Sequence, residues 1–347
     1  MERLWKDGVV RDESGMFAGK IRIGLMFPAE RIVQVALHSS GEVFEAGRDY
    51  RHTPGEDFIT RTENSRIPYL PPEALRPAGE GVRLFPAEGA NAINNAVGGG
   101  NLIFDNGAFF ARNQVDVSYD CAAPGLDPNL GPQAEKLPKF REKLARREPL
   151  KITLIGDSIS EGYNATKFVN IPPFAPCYME QAAMELGRNV TFRNRAIRGT
   201  GIQSVSRVKT DYLGDAPDLL VIAYGMNNFF RMPAEEFIDR MRTLISECRA
   251  VNPGTEYLLV SSMSGNPNWT PTAPGPDALY AERMRGFAAG QERSVALADV
   301  HKVWCKFLER KDFYDLTGNG VNHPNDYGHR IYASVVLELL TGKKYFD

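Results

Sequence analysis

Cysteine is scarce in this chain, with four among 347 residues: Cys121, Cys177, Cys248 and Cys305. No two stand at C-x-x-C spacing, which argues against a zinc or dithiol redox motif. So low a density builds no disulfide framework, and widely spaced single cysteines behave as small buried hydrophobes. An excess of one charge is also lacking. The formal net charge is -2, from 41 basic and 43 acidic residues. That gives no electrostatic case for nucleic acid or an anionic membrane as partner. No apolar run approaches the roughly 18 residues that a bilayer span needs. The opening MERLWKDGVV has no hydrophobic stretch of the signal-peptide kind, and the compartment and oligomeric state stay open. No metal-ligand spacing or cofactor motif stands out, so neither a metal nor a cofactor is expected.

What remains is an ordinary globular composition, 43% hydrophobic and 24% charged, in a chain long enough for two domains. Residues 1–125 read as strands, among them RIVQVALHS (31–39), GVRLF (82–86) and NQVDVSY (113–119). In the last, Val115, Val117 and Tyr119 alternate onto one face. Glycine and proline punctuate these runs, as in PGED, LPPE and RPAGEG, and short strands with such turns predict a β-sandwich. The glycine run at 98–100 lacks the strand-to-helix context of a phosphate cradle and reads as a turn. Residues 126–149 are turn-like, then charged and partly helical, as in a linker.

From residue 150 the period changes. KITLIG (151–156), NVTFRN (189–194), DLLVIAYG (218–225) and EYLLVSS (256–262) read as buried strands with helical patterns between them. The clearest helix runs from Pro233 to Ala250, with Phe237, Met241, Leu244, Ile245 and Cys248 at helical spacing. Such alternation predicts an α/β domain with a parallel sheet over 150–347. Functional residues then belong just after each strand, at the carboxyl ends.

Four candidates fall there. Ser158 follows the first strand in GDSIS, as a presented nucleophile or as part of a capped turn. Gly199 follows the second, where a missing Cβ lets a backbone N–H approach a ligand. Asn227 follows the third in YGMNN, as an amide donor to an oxyanion or as an Asx-turn. His323, before Pro324 in a C-terminal loop, has the pKa range of a general base. His329 reads as a packing or capping residue of the last helix.

These blocks resemble the SGNH or GDSL hydrolases: Ser158 in GDSIS, Gly199 in IRGTG, Asn227 in GMNN and His323 in VNHP, in family order across 151–340. The resemblance implies a flavodoxin-like α/β/α domain. It also implies Ser158 as nucleophile, His323 as base, and an oxyanion hole of the Ser158 and Gly199 N–H groups with the Asn227 amide. A β-sandwich ahead of the hydrolase is similar to two-domain carbohydrate acetylesterases, implying a jelly-roll-like first domain and an O-acetylated sugar or glycan as substrate. Trp269 would then be a stacking platform or plain packing.

Two positions depart from the family pattern. Asn228 replaces the Asp of G-x-N-D, a supportive residue. Gly320 stands where D-x-x-H places the carboxylate that orients the histidine. Three substitutes are open: a backbone carbonyl such as that of Gly320, as in Ser-His dyads of related esterases, or Asp315 or Asn319 folding back. The competing readings are a decayed hydrolase that only binds carbohydrate, and the same catalysis on a lipid or thioester.

Overall fold

The strands called from sequence at 151, 189, 218 and 256 form one sheet, joined by a fifth. The computed structural model describes residues 3–131, 133–291 and 294–347. In it β1 (Leu150–Gly156), β2 (Val190–Asn194), β3 (Leu219–Ala223), β4 (Glu256–Val260) and β5 (Val295–Ala298) run parallel in the order β2-β1-β3-β4-β5. β3, β4 and β5 are buried at every position, as strands covered on both faces must be. This is the flavodoxin-like order, whose chain reversal falls between β1 and β3. The site is expected at that point, beyond Gly156 and Ala223, which pair with each other. The helices include α1 (Ser158–Glu161), α2 (Tyr178–Leu186), α3 (Ala234–Val251), α4 (Pro276–Ala289), α5 (Val300–Leu308) and α6 (Asp326–Thr341).

β5 escaped the sequence reading. VALA is four residues long and sits between charged neighbours, too short for a period to show. The reverse error is GVRLF, which forms no strand. Leu84 makes a single bridge to Ala92. Leu84 and Phe85 are 40% and 43% exposed, so no buried face rewards a strand, and Pro86 brings no N–H to a ladder.

Ahead of the parallel sheet lie antiparallel sheets of four, three and two strands. The largest pairs Trp5–Lys6, Val9–Gly15, Val115–Asp120 and Arg31–Leu37 in that order. Val115, Val117 and Tyr119 are buried on one face, as their alternation predicts. These sheets share a hydrophobic core with the parallel-sheet domain. The Trp5 ring meets Phe27, Phe307 and Phe346 at centroid distances of 5.0, 6.2 and 6.0 Å. Glu13 and Lys311 form a fully buried ion pair at 2.8 Å, and Tyr119 donates its hydroxyl to Glu13 at 2.7 Å.

His38 bridges Asp116 and Asp326 at 2.8 and 3.0 Å. Asp326 in turn accepts from the Thr166 N–H and hydroxyl. Burial opposes charge on the ring, yet the two carboxylates outweigh it and hold the pKa up at about 10. A raised histidine pKa stabilises the fold fully below the unfolded value of about 6.5 and loses that contribution as pH climbs through the folded value. The melting-temperature gap between wild type and His38→Gln is therefore expected to be widest at pH 6 and to close as pH nears 10. A gap that does not change with pH would contradict this.

Among the described residues no helix is long and apolar enough to cross a membrane. Among the same residues no group of three or more His, Cys, Asp or Glu could hold a metal ion.

Candidate active site

β1 ends at Gly156, a position with no room for a side chain. A Cβ there would lie 2.6 Å from Ser160 Oγ and 2.7 Å from the Ala223 carbonyl oxygen. Asp157 then caps α1, accepting from the Ile159 N–H at 3.0 Å. Burial pushes its carboxyl up to about 7 against that hydrogen bond. Ser158 becomes the first residue of α1, with an N–H that has no acceptor inside the helix. GDS is thus both a capped turn and the presentation of a serine.

Ser158 Oγ lies 2.9 Å from His323 Nε2, and both residues are buried. The His323 loop is built on Asn319. Its Oδ1 accepts from the N–H groups of Val321, Asn322 and His323 at 2.9 to 3.0 Å. That fixes the amide, and turns Asn319 Nδ2 toward His323 Nδ1 at 3.0 Å. Asn319 therefore reaches the histidine, as one expected substitute, but as a donor. A donor cannot hold the Nδ1 proton.

The acceptor is Asn164, which the sequence reading missed. Its Oδ1 lies 2.7 Å from His323 Nδ1. Its Nδ2 donates to the backbone carbonyls of Asp105 and Gly107 at 3.3 and 3.2 Å, which decides which end of the amide faces the ring. Asn164 sits at φ 63°, a left-handed conformation that asparagine tolerates better than most residues. Gly318 makes the space, since a Cβ there would come within 2.7 Å of Asn164 Cβ. These two signals, an asparagine shortly after the serine block and glycines flanking Asn319, were the ones available in the sequence.

The other two substitutes are spent elsewhere. The Gly320 carbonyl accepts from Asn266 Nδ2 at 2.7 Å, not from the histidine. Asp315 accepts from the N–H groups of Met16 and Asp312 at 2.7 and 2.8 Å, tying its helix to the N-terminal sheet. Gly320 itself is explained by packing. At φ 81°, a Cβ would lie 2.6 Å from the Phe110 ring and 2.9 Å from the Ile103 carbonyl oxygen. The place of the family carboxylate is taken by the N-terminal sheet region.

Burial pushes the His323 pKa down to about 3, with a smaller push from His329. The ring is neutral at neutral pH and free to accept a proton at Nε2. No carboxylate raises it, unlike a triad histidine. Because kcat/KM reports the free base, it is expected to run level from about pH 8 to about pH 5. An acid limb near the ordinary histidine value would contradict this environment.

The oxyanion candidates lie past the carboxyl ends of β2 and β3. Gly199 has φ 70° with open space around its Cβ position, and its N–H meets no acceptor among the described residues. Asn227 donates one amide hydrogen to the Thr200 carbonyl at 2.9 Å, leaving the second. Asn228 joins the two blocks, accepting from the Ile202 N–H at 3.2 Å and donating to Gln203 at 2.8 Å. An Asp could not do both. His329 is wholly buried in α6 and accepts from the first N–H of α2 at 3.3 Å, a packing and capping role.

A cavity of 480 Å³ is walled by Asn227 and by Asn322, the sequence neighbour of His323, although neither Ser158 nor His323 lines it. Trp269, Phe230, Arg231, Thr270 and Asn95 also line it. Larger cavities of 690, 660 and 630 Å³ lie near Arg242, Arg141 and His38 and hold none of the four block residues.

Fold and site together define an SGNH-type α/β hydrolase. Residues 154–331 match the GDSL-like lipase/acylhydrolase family, and the chain belongs to it. Fold and family are those of a carboxylic ester hydrolase. Among solved structures the chain is similar to a catalytic mutant of Axe2, an acetylxylan esterase from Geobacillus stearothermophilus, at 19% identity and TM-score 0.45 over 58% of this chain and 97% of that one. It is similar to LAE5, an α/β hydrolase enzyme from the metagenome of Lake Arreo, at 20% identity and TM-score 0.45 over 56% and 96%. A two-domain esterase active on acetylated mannans matches at 19% identity and TM-score 0.45, over 60% of this chain and 54% of that one. Such identities leave this chain's own substrate open. No curated protein sequence matches.

Proposed function

We propose that this protein is a serine esterase that removes short acyl groups, acetyl above all, from carbohydrate. The observation that carries it is the buried chain Ser158 Oγ–His323 Nε2, at 2.9 Å, and His323 Nδ1–Asn164 Oδ1, at 2.7 Å. Asn164 accepts the Nδ1 proton and so leaves Nε2 as the acceptor. Ser158 Oγ attacks the ester carbonyl carbon while its proton passes to Nε2. The carbonyl oxygen becomes an oxyanion, held by the N–H groups of Ser158 and Gly199 and the free hydrogen of Asn227. The tetrahedral species collapses, breaking the C–O bond to the sugar, whose oxygen takes the proton from Nε2. Water, deprotonated by His323, then attacks the acyl-serine, and the same steps in reverse release the acid and restore Ser158.

The sugar reading is supported by the cavity. Aromatic Trp269 and Phe230 alternate with Asn95, Asn227, Thr270 and Asn322, a surface suited to a ring with apolar faces and hydroxyl edges. The test compares p-nitrophenyl acetate with longer acyl chains, and acetate release from acetylated oligosaccharides. Turnover that favours acetyl, with acetate released from the sugar, is expected. Preference for long chains moves the substrate to lipid; no turnover at all leaves a carbohydrate-binding chain with a decayed site.

A further inference from the structure

We infer that the cavity beside Asn227 selects an acylated sugar unit bearing a carboxylate, with Arg231 holding that carboxylate; this rests on the esterase reading above. Arg231 stands four residues after Asn227, within a run of turns in which the Arg231 N–H bonds the Asn228 carbonyl at 2.9 Å. One helical turn of separation puts the two side chains on one side of the segment, and both line the cavity. The charge balance of the wall is one-sided. Its residues are Arg231 with apolar, aromatic, hydroxyl and amide side chains, and neither Asp nor Glu is among them.

Arg231 also differs from the arginines in and after β2. Arg198, beside Gly199, is engaged by Glu161 at 2.9 Å and by the Tyr163 hydroxyl at 2.7 Å. Arg195 and Arg193 are engaged by Asp215 at 2.9 and 3.2 Å. The Arg231 side chain is exposed, and among the described residues its guanidinium meets no carboxylate, carbonyl or aromatic face. An arginine fork matches a carboxylate with two parallel hydrogen bonds, so an unengaged one at the mouth of a site suits that group. The Trp269 part of the wall is tied to the N-terminal region by hydrogen bonds. Trp269 donates its indole N–H to the Asn94 carbonyl at 2.9 Å, and the Thr270 N–H bonds the Asn95 carbonyl at 2.9 Å. A sugar ring resting on the Trp269 and Phe230 side would present a carboxylate on its rim to Arg231, while the ester faces Asn227.

The test uses three acetylated substrates: a uronic acid oligosaccharide, its methyl-esterified form and a neutral xylo-oligosaccharide. The expected result is about a tenfold higher kcat/KM for the free acid than for its methyl ester, the size of one partly exposed charged contact. That ratio is expected to fall to about one in Arg231→Gln, to return in part in Arg231→Lys, and to shrink as salt is raised. Equal treatment of acid and methyl ester by wild type, or a ratio kept by Arg231→Gln, would overturn the inference. Failure of the esterase reading shows separately, as no turnover of p-nitrophenyl acetate. In that event calorimetric binding of the deacetylated uronic oligosaccharide still decides: weaker binding by Arg231→Gln supports the inference and unchanged binding overturns it.

Discussion

Ser158→Ala is expected to abolish turnover of p-nitrophenyl acetate, lowering kcat on the order of 10⁶-fold, because the bond-forming oxygen is gone and the remaining donors cannot replace it. The loss should come without unfolding. Among the described residues the Ser158 hydroxyl has one partner, His323 Nε2, and the capping of α1 depends on Asp157 rather than on this side chain. A melting temperature near that of wild type, measured beside the kinetics, separates lost chemistry from lost structure. His323→Ala should give a comparable loss, and the double variant hardly more, because nucleophile and base act as a unit.

Asn164→Ala carries the second large effect. With Asn164 gone, the nearest side-chain group to His323 Nδ1 is Asn319 Nδ2 at 3.0 Å, a donor. The imidazole then keeps its proton on Nε2, pointed at Ser158, and cannot act as base. Wrong tautomers in Ser-His-Asp enzymes lower kcat about 10⁴-fold, so a loss of about 10³–10⁴ is expected, in kcat rather than KM. Asn164→Asp should not rescue it. The Asp105 and Gly107 carbonyls now accept from Asn164 Nδ2, and a carboxylate would turn a bare oxygen on them. Unpaired and repelled in a buried place, that charge destabilises the loop. Any activity Asn164→Asp retains should show an acid limb moved up in pH, because a negative partner raises a histidine pKa. Unchanged kcat in Asn164→Ala would show that Nδ1 is held by some other group.

These expectations depend on parts of the molecule that differ in how plainly the sequence announced them. The parallel sheet was legible because its strands are apolar runs bounded by glycine and polar turns. Three of its four functional blocks follow directly from that, since Ser158, Gly199 and Asn227 each come shortly after a strand ends, while His323 lies in the loop before the last helix. Within GDSIS the reason for glycine is partly local: a Cβ on Gly156 would meet Ser160, four residues on, and also the Ala223 carbonyl of the neighbouring strand. The orientation of His323 was not legible, because the group that accepts from Nδ1 and the carbonyls that orient it are remote in sequence. Asn164 is 159 residues from the histidine it serves. Its own orientation comes from two carbonyls near residue 106, whose role no side-chain pattern could announce. Gly320 looked like a deletion of function and is instead a contact, explained only when Phe110 is seen against it. The false strand at GVRLF failed for a related reason: β-rich composition says nothing about whether a face will be covered.

The most direct test of the account labels the nucleophile. A serine-reactive fluorophosphonate is added to the protein, and the adduct is located by peptide mass spectrometry while its rate of formation is followed. The account predicts a single adduct on Ser158, absent from Ser158→Ala and formed far more slowly in His323→Ala and Asn164→Ala. An adduct on another residue in protein that still turns over esters, or a labelling rate untouched by Asn164→Ala, would contradict it.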